Sequence, residues 1–247
     1  MTHKIYNIED GVVAIVLDID EESVQDQIAE NIVSICEGNS ETDLETIKIK
    51  LKDYLEPKGI RIRRGAVAEF YIHLFLKSLG YKQNCLFLNL EENSIKKGFD
   101  GYYVFQGDEW IVESKSGAST STTHKSKIEE AYGDLREKLT TKTRNNPWEN
   151  AYNHAAHASV GASKTILAKL KKLSNNYVRN VHLPLTEFCL MPCGTVFNHD
   201  ASSDTIKETI YKNIKGTTDS MEYKKLCIMA ISNRAYSAFL EFIGLEV

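Results

Sequence analysis

The run GVVAIVLDI (11–19) is almost continuously apolar and predicts a first β-strand. Val24, Ile28, Ile32 and Ile35 then recur at helical spacing, and the stripe stops at Gly38. Ser40 is placed to cap a second helix, with Asp43 three residues on and Ile47, Leu51, Tyr54 and Leu55 as its apolar face. Pro57 and Gly59 end it. RRGAVAEFYIHLFLKSLG (63–80) is apolar almost all round and predicts a buried helix. Its one polar stripe is Glu69, His73 and Lys77, which meets either water or a cleft. CLFLNL (85–90) reads as a strand, followed by a hairpin of YYVF and WIVESK around Gln106-Gly107-Asp108. Small polar residues after Gly117 predict a loop.

Ser126, with Glu129 three positions later, predicts a capping box for a helix that buries Ile128, Ala131, Tyr132, Leu135 and Leu139. Asn146-Pro147-Trp148-Glu149 predicts another helix start, running to about Leu173. The continuous apolar runs 185–192 and 225–232 predict central strands, the first ending at Pro192, and RAYSAFLEFIG a closing helix. The order from residue 63 is helix, three strands, helix, strand, helix, strand. That is an α/β chain with a mixed central sheet flanked by helices.

Charge divides the chain. Residues 1–56 hold 4 Lys/Arg against 14 Asp/Glu, a net of −10, while residues 57–247 hold 26 against 20, a net of +6. The division predicts an acidic N-terminal strand-helix-helix subdomain over 1–60, a docking piece or cover, before a main domain over 61–247. It also hints at a polyanionic partner. No stretch has the ~20 apolar residues of a membrane span, and the N-terminus lacks the form of a signal peptide, so the expectation is a cytoplasmic protein. The five scattered cysteines fit reduced thiols. Cys189 and Cys193 with His182 and His199 can be drawn as a zinc site, although the spacing differs from paired zinc knuckles, and a plain buried strand accounts for the same cysteines.

Side chains alternate along a strand, so Glu113 and Lys115 share one face, and the hairpin folds Asp100 toward them. Two readings fit: a cross-strand ion pair on a wet face beside an ordinary Asp turn, or a cation site. Mg²⁺ takes one or two carboxylates and keeps several waters. Asp100, Glu113 and the Ser114 carbonyl suit it, Mn²⁺ could substitute, and Glu69 could add a further carboxylate. Such a cation activates water and polarises a phosphoryl oxygen, with Lys115 positioning the water or stabilising charge on the phosphate. Arg61, Arg63, Arg64, Lys96, Lys97, Lys125 and Lys127 are candidate phosphate contacts. His73, His154 and His157 are better read as polar helix residues than as ligands. A Gly-rich phosphate loop, a nucleophile elbow and a His-Glu-x-x-His motif are absent.

Glu69 in AVAEF, Asp100 in GFDG and Glu113-Ser114-Lys115 in WIVESKSG together resemble the PD-(D/E)xK nuclease superfamily, over about residues 62–235. The resemblance implies a restriction-endonuclease-like αβββαβ core, Mg²⁺ on the Asp and Glu, a Lys that assists the water, and cleavage of DNA phosphodiesters. More narrowly, the Gly-Ala-x-x-Glu helix, GFDG and the Trp-containing ExK strand resemble the nuclease subunit of Hachiman-type antiphage systems. That likeness implies a helicase partner. Cleavage of both strands of a duplex would favour a homodimer or a partner nuclease. The alternative is a catalytically inactive module of the same fold that binds nucleic acid or a partner protein.

Overall fold

The computed structural model describes residues 1–22, 24–89, 94–95 and 98–246. Its first two strands, β1 (Thr2–Glu9) and β2 (Val12–Ile19), form a hairpin through Gly11 at φ +74°. β1 escapes a search for apolar runs because it is an exposed edge strand with only Lys4, Tyr6 and Ile8 turned partly inward. The helices α1 (Gln25–Glu37), α2 (Leu44–Leu55) and α3 (Ile60–Ser78) follow. Next come β3 (Lys82–Gln83), β4 (Leu88–Asn89), β5 (Ser94–Ile95) and the hairpin β6 (Gly101–Phe105) and β7 (Asp108–Gly117). Then α4 (His124–Thr140), α5 (Pro147–Ala156), α6 (Lys164–Val178), β8 (Cys189–Phe197), α7 (Asp204–Ile214), β9 (Lys225–Asn233) and α8 (Tyr236–Phe242) complete the chain.

Seven strands make one mixed sheet in the order β1-β2-β9-β8-β7-β6-β3. β2, β9, β8 and β7 run parallel, and antiparallel pairs close both ends. The strands of residues 1–60 therefore lie in the same sheet as the rest, with β2 in register against β9 from Val12 to Ile19. Alternation sorts the core onto two faces. Ile15, Leu17, Tyr103, Trp110, Val112, Met191 and Met229 pack with α1, α2, α3 and α8, while Ala14, Val16, Tyr102, Ile111, Leu190 and Ile228 pack with α4–α7. The result is an α/β architecture of three layers. Among the described residues no helix is long and apolar enough to cross a membrane.

Several expected boundaries move, each for a local reason. Of the strand expected at 85–90, the described residues Leu88–Asn89 pair with Ser94–Ile95 instead of joining the main sheet, and the strand beside the hairpin there is the short β3; residue 90 lies outside the described residues. Asp43, not Ser40, caps α2 by accepting from Thr46 N; the Ser40 hydroxyl accepts from Thr42 N before the helix begins and donates to Glu37. Thr123, not Ser126, caps α4, and Ser126 completes the capping box from the third position. The helix expected over 146–173 is two: Gly161 at φ +64° and the Ser163 cap restart it as α6. β8 continues through Pro192 to Phe197, since its register to β7 is unbroken there. The register to β9 skips Met191 and Pro192, which is where the missing N–H is accommodated. α7 went unread in the sequence although Ser203 caps it.

Candidate active site

The site is built by a two-residue turn. Gln106 (φ 49°) and Gly107 (φ 84°) both adopt positive φ, matching the twist of the flanking strands and setting the register from Phe105↔Asp108 to Gly101↔Val112. One step further, Asp100 stands opposite Glu113. Gly101 permits the close strand approach: a Cβ there would lie 2.6 Å from Tyr103 Cε2 and 2.9 Å from Val112 Cβ. β6 begins only at Gly101, so the last residues of β7 extend beyond it.

Asp100 is oriented by the Ser114 N–H, which donates to its Oδ2 at 2.7 Å. Glu113 is 2% exposed. Burial first, and the neighbouring Asp100 second, push its carboxyl up to about 8. Lys115 Nζ donates to Glu113 Oε1 at 3.2 Å and pairs with Asp134 of α4. Burial acts to lower the Lys115 pKa, but Glu113 and Asp134 more than offset it and hold the ammonium above the usual lysine range. Lys138, one turn after Asp134 on α4, donates to Glu113 Oε2 at 2.6 Å and to the Gly98 carbonyl at 2.7 Å.

α4 reaches the site because it crosses β8 at a glycine. A Cβ on Gly194, which is in register with Lys115, would lie 2.7 Å from His124 O and 2.9 Å from Ile128 N. That close approach carries Asp134 and Lys138 over the Glu113 face. Both escaped the sequence reading. Their signal was a polar i, i+4 pair flanking the apolar positions Leu135 and Leu139.

Glu69 sits elsewhere. It lies on α3, which packs on the opposite face of the sheet from Glu113. There its Oε1 is 3.5 Å from His73 Nε2, and His73 Nδ1 bonds the Tyr103 hydroxyl. His154 Nδ1 accepts from Leu86 N, and His157 bonds Ser159, so these two do not converge either.

The predicted phosphate contacts separate by location. Arg63 donates from Nε to Leu55 O at 3.0 Å and from a terminal nitrogen to Glu56 O at 2.6 Å, so it closes the C-terminus of α2. The Arg64 guanidinium lies over Phe197 (5.9 Å) and Tyr236 (5.7 Å), at the carboxyl ends of β8 and β9. Arg61 is exposed. Lys125 and Lys127, on the first turn of α4, form surface pairs with Glu129 and Glu130. Lys96 and Lys97 lie outside the described residues.

All five cysteines are buried thiols outside any disulfide. The drawn zinc set is not assembled. Cys189 Sγ bonds Asp108, Cys193 Sγ bonds Met191 O, His182 bonds Leu139 O, and His199 bonds Ser232. Among the described residues no group of three or more His, Cys, Asp or Glu is arranged to hold a metal ion. The Asp100–Glu113 pair is a smaller donor set of the kind a hydrated Mg²⁺ takes, with one or two carboxylates and the rest water. Its fit to a dication is electrostatic: two adjoining carboxylates, one of them buried, destabilise each other's anionic form, and a cation relieves that.

A family model described as HamA matches residues 3–245. No curated protein matches the chain.

Proposed function

The chain belongs to the HamA family, which is linked to Hachiman antiphage defence, and on that premise we propose that it is a Mg²⁺-dependent endonuclease hydrolysing DNA phosphodiester bonds. The observation that carries the reading is the Asp100–Glu113 pair with Lys115 near the end of β7.

Asp100 and Glu113 would hold the cation, with the Ser114 carbonyl as a further oxygen. When bound, Mg²⁺ supplies Lewis-acid polarisation of the phosphoryl oxygen and a more acidic water. The Ser114 N–H holds the Asp100 carboxylate in orientation. Lys115 is held cationic by Glu113 and Asp134, so its role is to stabilise charge growing on the phosphate rather than to accept a proton. Arg61, Arg64, Lys125 and Lys127 would contact backbone phosphates on either side, a sequence-blind and salt-sensitive mode. Glu69, behind the sheet with His73, would support Tyr103 and hence β6 rather than touch the cation. Systems of this family pair with helicase-like partners. We extend that to this chain, with the acidic α1–α2 face as the docking surface.

Cleavage of supercoiled and linear duplex DNA with Mg²⁺, Mn²⁺ or EDTA tests this directly. Metal-dependent cutting should vanish in Glu113→Gln and Lys115→Ala while DNA binding persists. Normal cutting by Lys115→Ala would overturn the mechanism. The second reading, an inactive binding module, draws on the pairing of Glu113 with two lysines, which also satisfies the carboxylate without a metal. No cutting by the wild type, even with a helicase partner present, would favour it.

A further inference from the structure

We propose that Lys138 is an internal counter-ion that sits in the cation's seat at Glu113 and must leave before a divalent metal can bind. The inference rests on the reading of Asp100 and Glu113 as the metal site.

The argument begins with the donors. The Lys138 ammonium is held by a carboxylate oxygen (Glu113 Oε2, 2.6 Å) and a main-chain carbonyl (Gly98 O, 2.7 Å). Hard oxygens of these two kinds are the ones that Mg²⁺ and Mn²⁺ prefer. Gly98 takes φ +142°, and a Cβ there would meet Asn150 Cβ of α5 at 3.2 Å, so the chain packs closely on α5 at this carbonyl. The seat is therefore formed by backbone geometry as well as by a side chain.

Charge points the same way. Asp100, Glu113 and Asp134 face Lys115 and Lys138. Removal of Lys138 takes away the closer of the two ammonium groups that Glu113 meets, the charge a dication would replace. The two lysines are also held differently. Lys115 is tied to Asp134 as well as to Glu113, whereas the contacts of Lys138 to Glu113 and Gly98 are the ones a metal would take over. The Lys138 side chain is 25% exposed, so its head can swing to water on its four-carbon stem without disturbing α4. Lys138 is thus a positioning residue: it keeps a buried carboxylate compensated while the metal is away.

The test is Mn²⁺ binding at pH 7.5, followed by loss of the free-ion EPR signal, for wild type, Lys138→Met, Lys138→Arg and Glu113→Gln. A hydrogen bond to a charged group contributes enough that its loss should tighten binding in Lys138→Met roughly 10- to 100-fold. Lys138→Arg, which keeps the cation, should stay near wild type. Glu113→Gln should lose the site. If Lys138→Met binds as the wild type does, or more weakly, while Glu113→Gln still abolishes binding, the inference is overturned and the metal site stands. If binding is absent throughout, or indifferent to Glu113→Gln, both fall together. Thermal unfolding without metal confirms that each variant is folded, and Lys138→Gln replaces Lys138→Met if the latter is not.

Discussion

Gly194→Ala tests how the site is held over the sheet. The added Cβ would stand 2.7 Å from His124 O and 2.9 Å from Ile128 N, against about 3.4 Å for ordinary contact. Both atoms belong to the α4 backbone, which cannot rotate away as a flexible side chain would. α4 must therefore retreat from β8 by about 0.7 Å, or β8 must bend. Overpacking of a well-packed interior costs roughly 1–3 kcal/mol. The same retreat lengthens the 2.6 Å Lys138–Glu113 contact, so the site loosens along with the core. Gly133→Ala is the matched control. Gly133 lies within α4 with nothing within 4 Å of its Cβ position, and the change should stabilise by roughly 0.5–1 kcal/mol through helix propensity. Urea unfolding followed by tryptophan fluorescence gives both midpoints at a common m-value. Opposite signs for the same chemical change are expected. A Gly194→Ala variant within about 0.5 kcal/mol of wild type, the range of ordinary surface substitutions, would refute the account of how α4 is seated.

Burial, helped by His199, lowers His124 to about 4, while an unfolded histidine titrates near 6.5. The unfolded chain then binds the extra proton, so this stability is complete above pH 6.5 and is lost as pH falls toward 4. Between pH 7.5 and 5 the wild type should lose about 2 kcal/mol more than His124→Gln, and equal losses in urea titrations at the two pH values would contradict the shift. Arg63→Ala should lower stability by about 1 kcal/mol by uncapping α2 while leaving the salt dependence of DNA binding unchanged. Lys127→Ala should instead reduce the log–log salt slope by about 0.9 with little effect on stability, and a reversal of the two phenotypes would show the roles misassigned.

The α/β class and the hairpin were legible because they rest on local signals. The expected turn is Gln106-Gly107-Asp108, and strand periodicity puts Glu113 and Lys115 on one face with Asp100 folded toward them; the two-residue turn that leaves Asp108 in β7 and pairs Gly101 with Val112 comes from the structure. The core face of α4 was legible too: Ile128, Ala131, Tyr132, Leu135 and Leu139 are all buried as their spacing demands. Cap positions were harder, since Ser40 and Asp43, or Thr123 and Ser126, are equally good caps in sequence, and the choice depends on where the backbone turns into the helix. β1 left little trace because an edge strand buries little.

What the chain determined by itself, then, is the nature of its elements and the chemistry at the end of β7, since periodicity and turn type act over a few residues. The surroundings of that chemistry were decided by tertiary packing. Glu69 and Glu113 look alike in sequence, yet the sheet lies between them. Asp134 and Lys138 join the site only because a glycine about sixty residues downstream of α4 lets the helix lie close on β8. Charge marks residues 1–60 as an acidic subdomain, and that β2 within it hydrogen-bonds to β9, more than two hundred residues away, is a matter of tertiary structure. Such contacts depend on shape and close packing between distant segments, which no local pattern of residue types encodes.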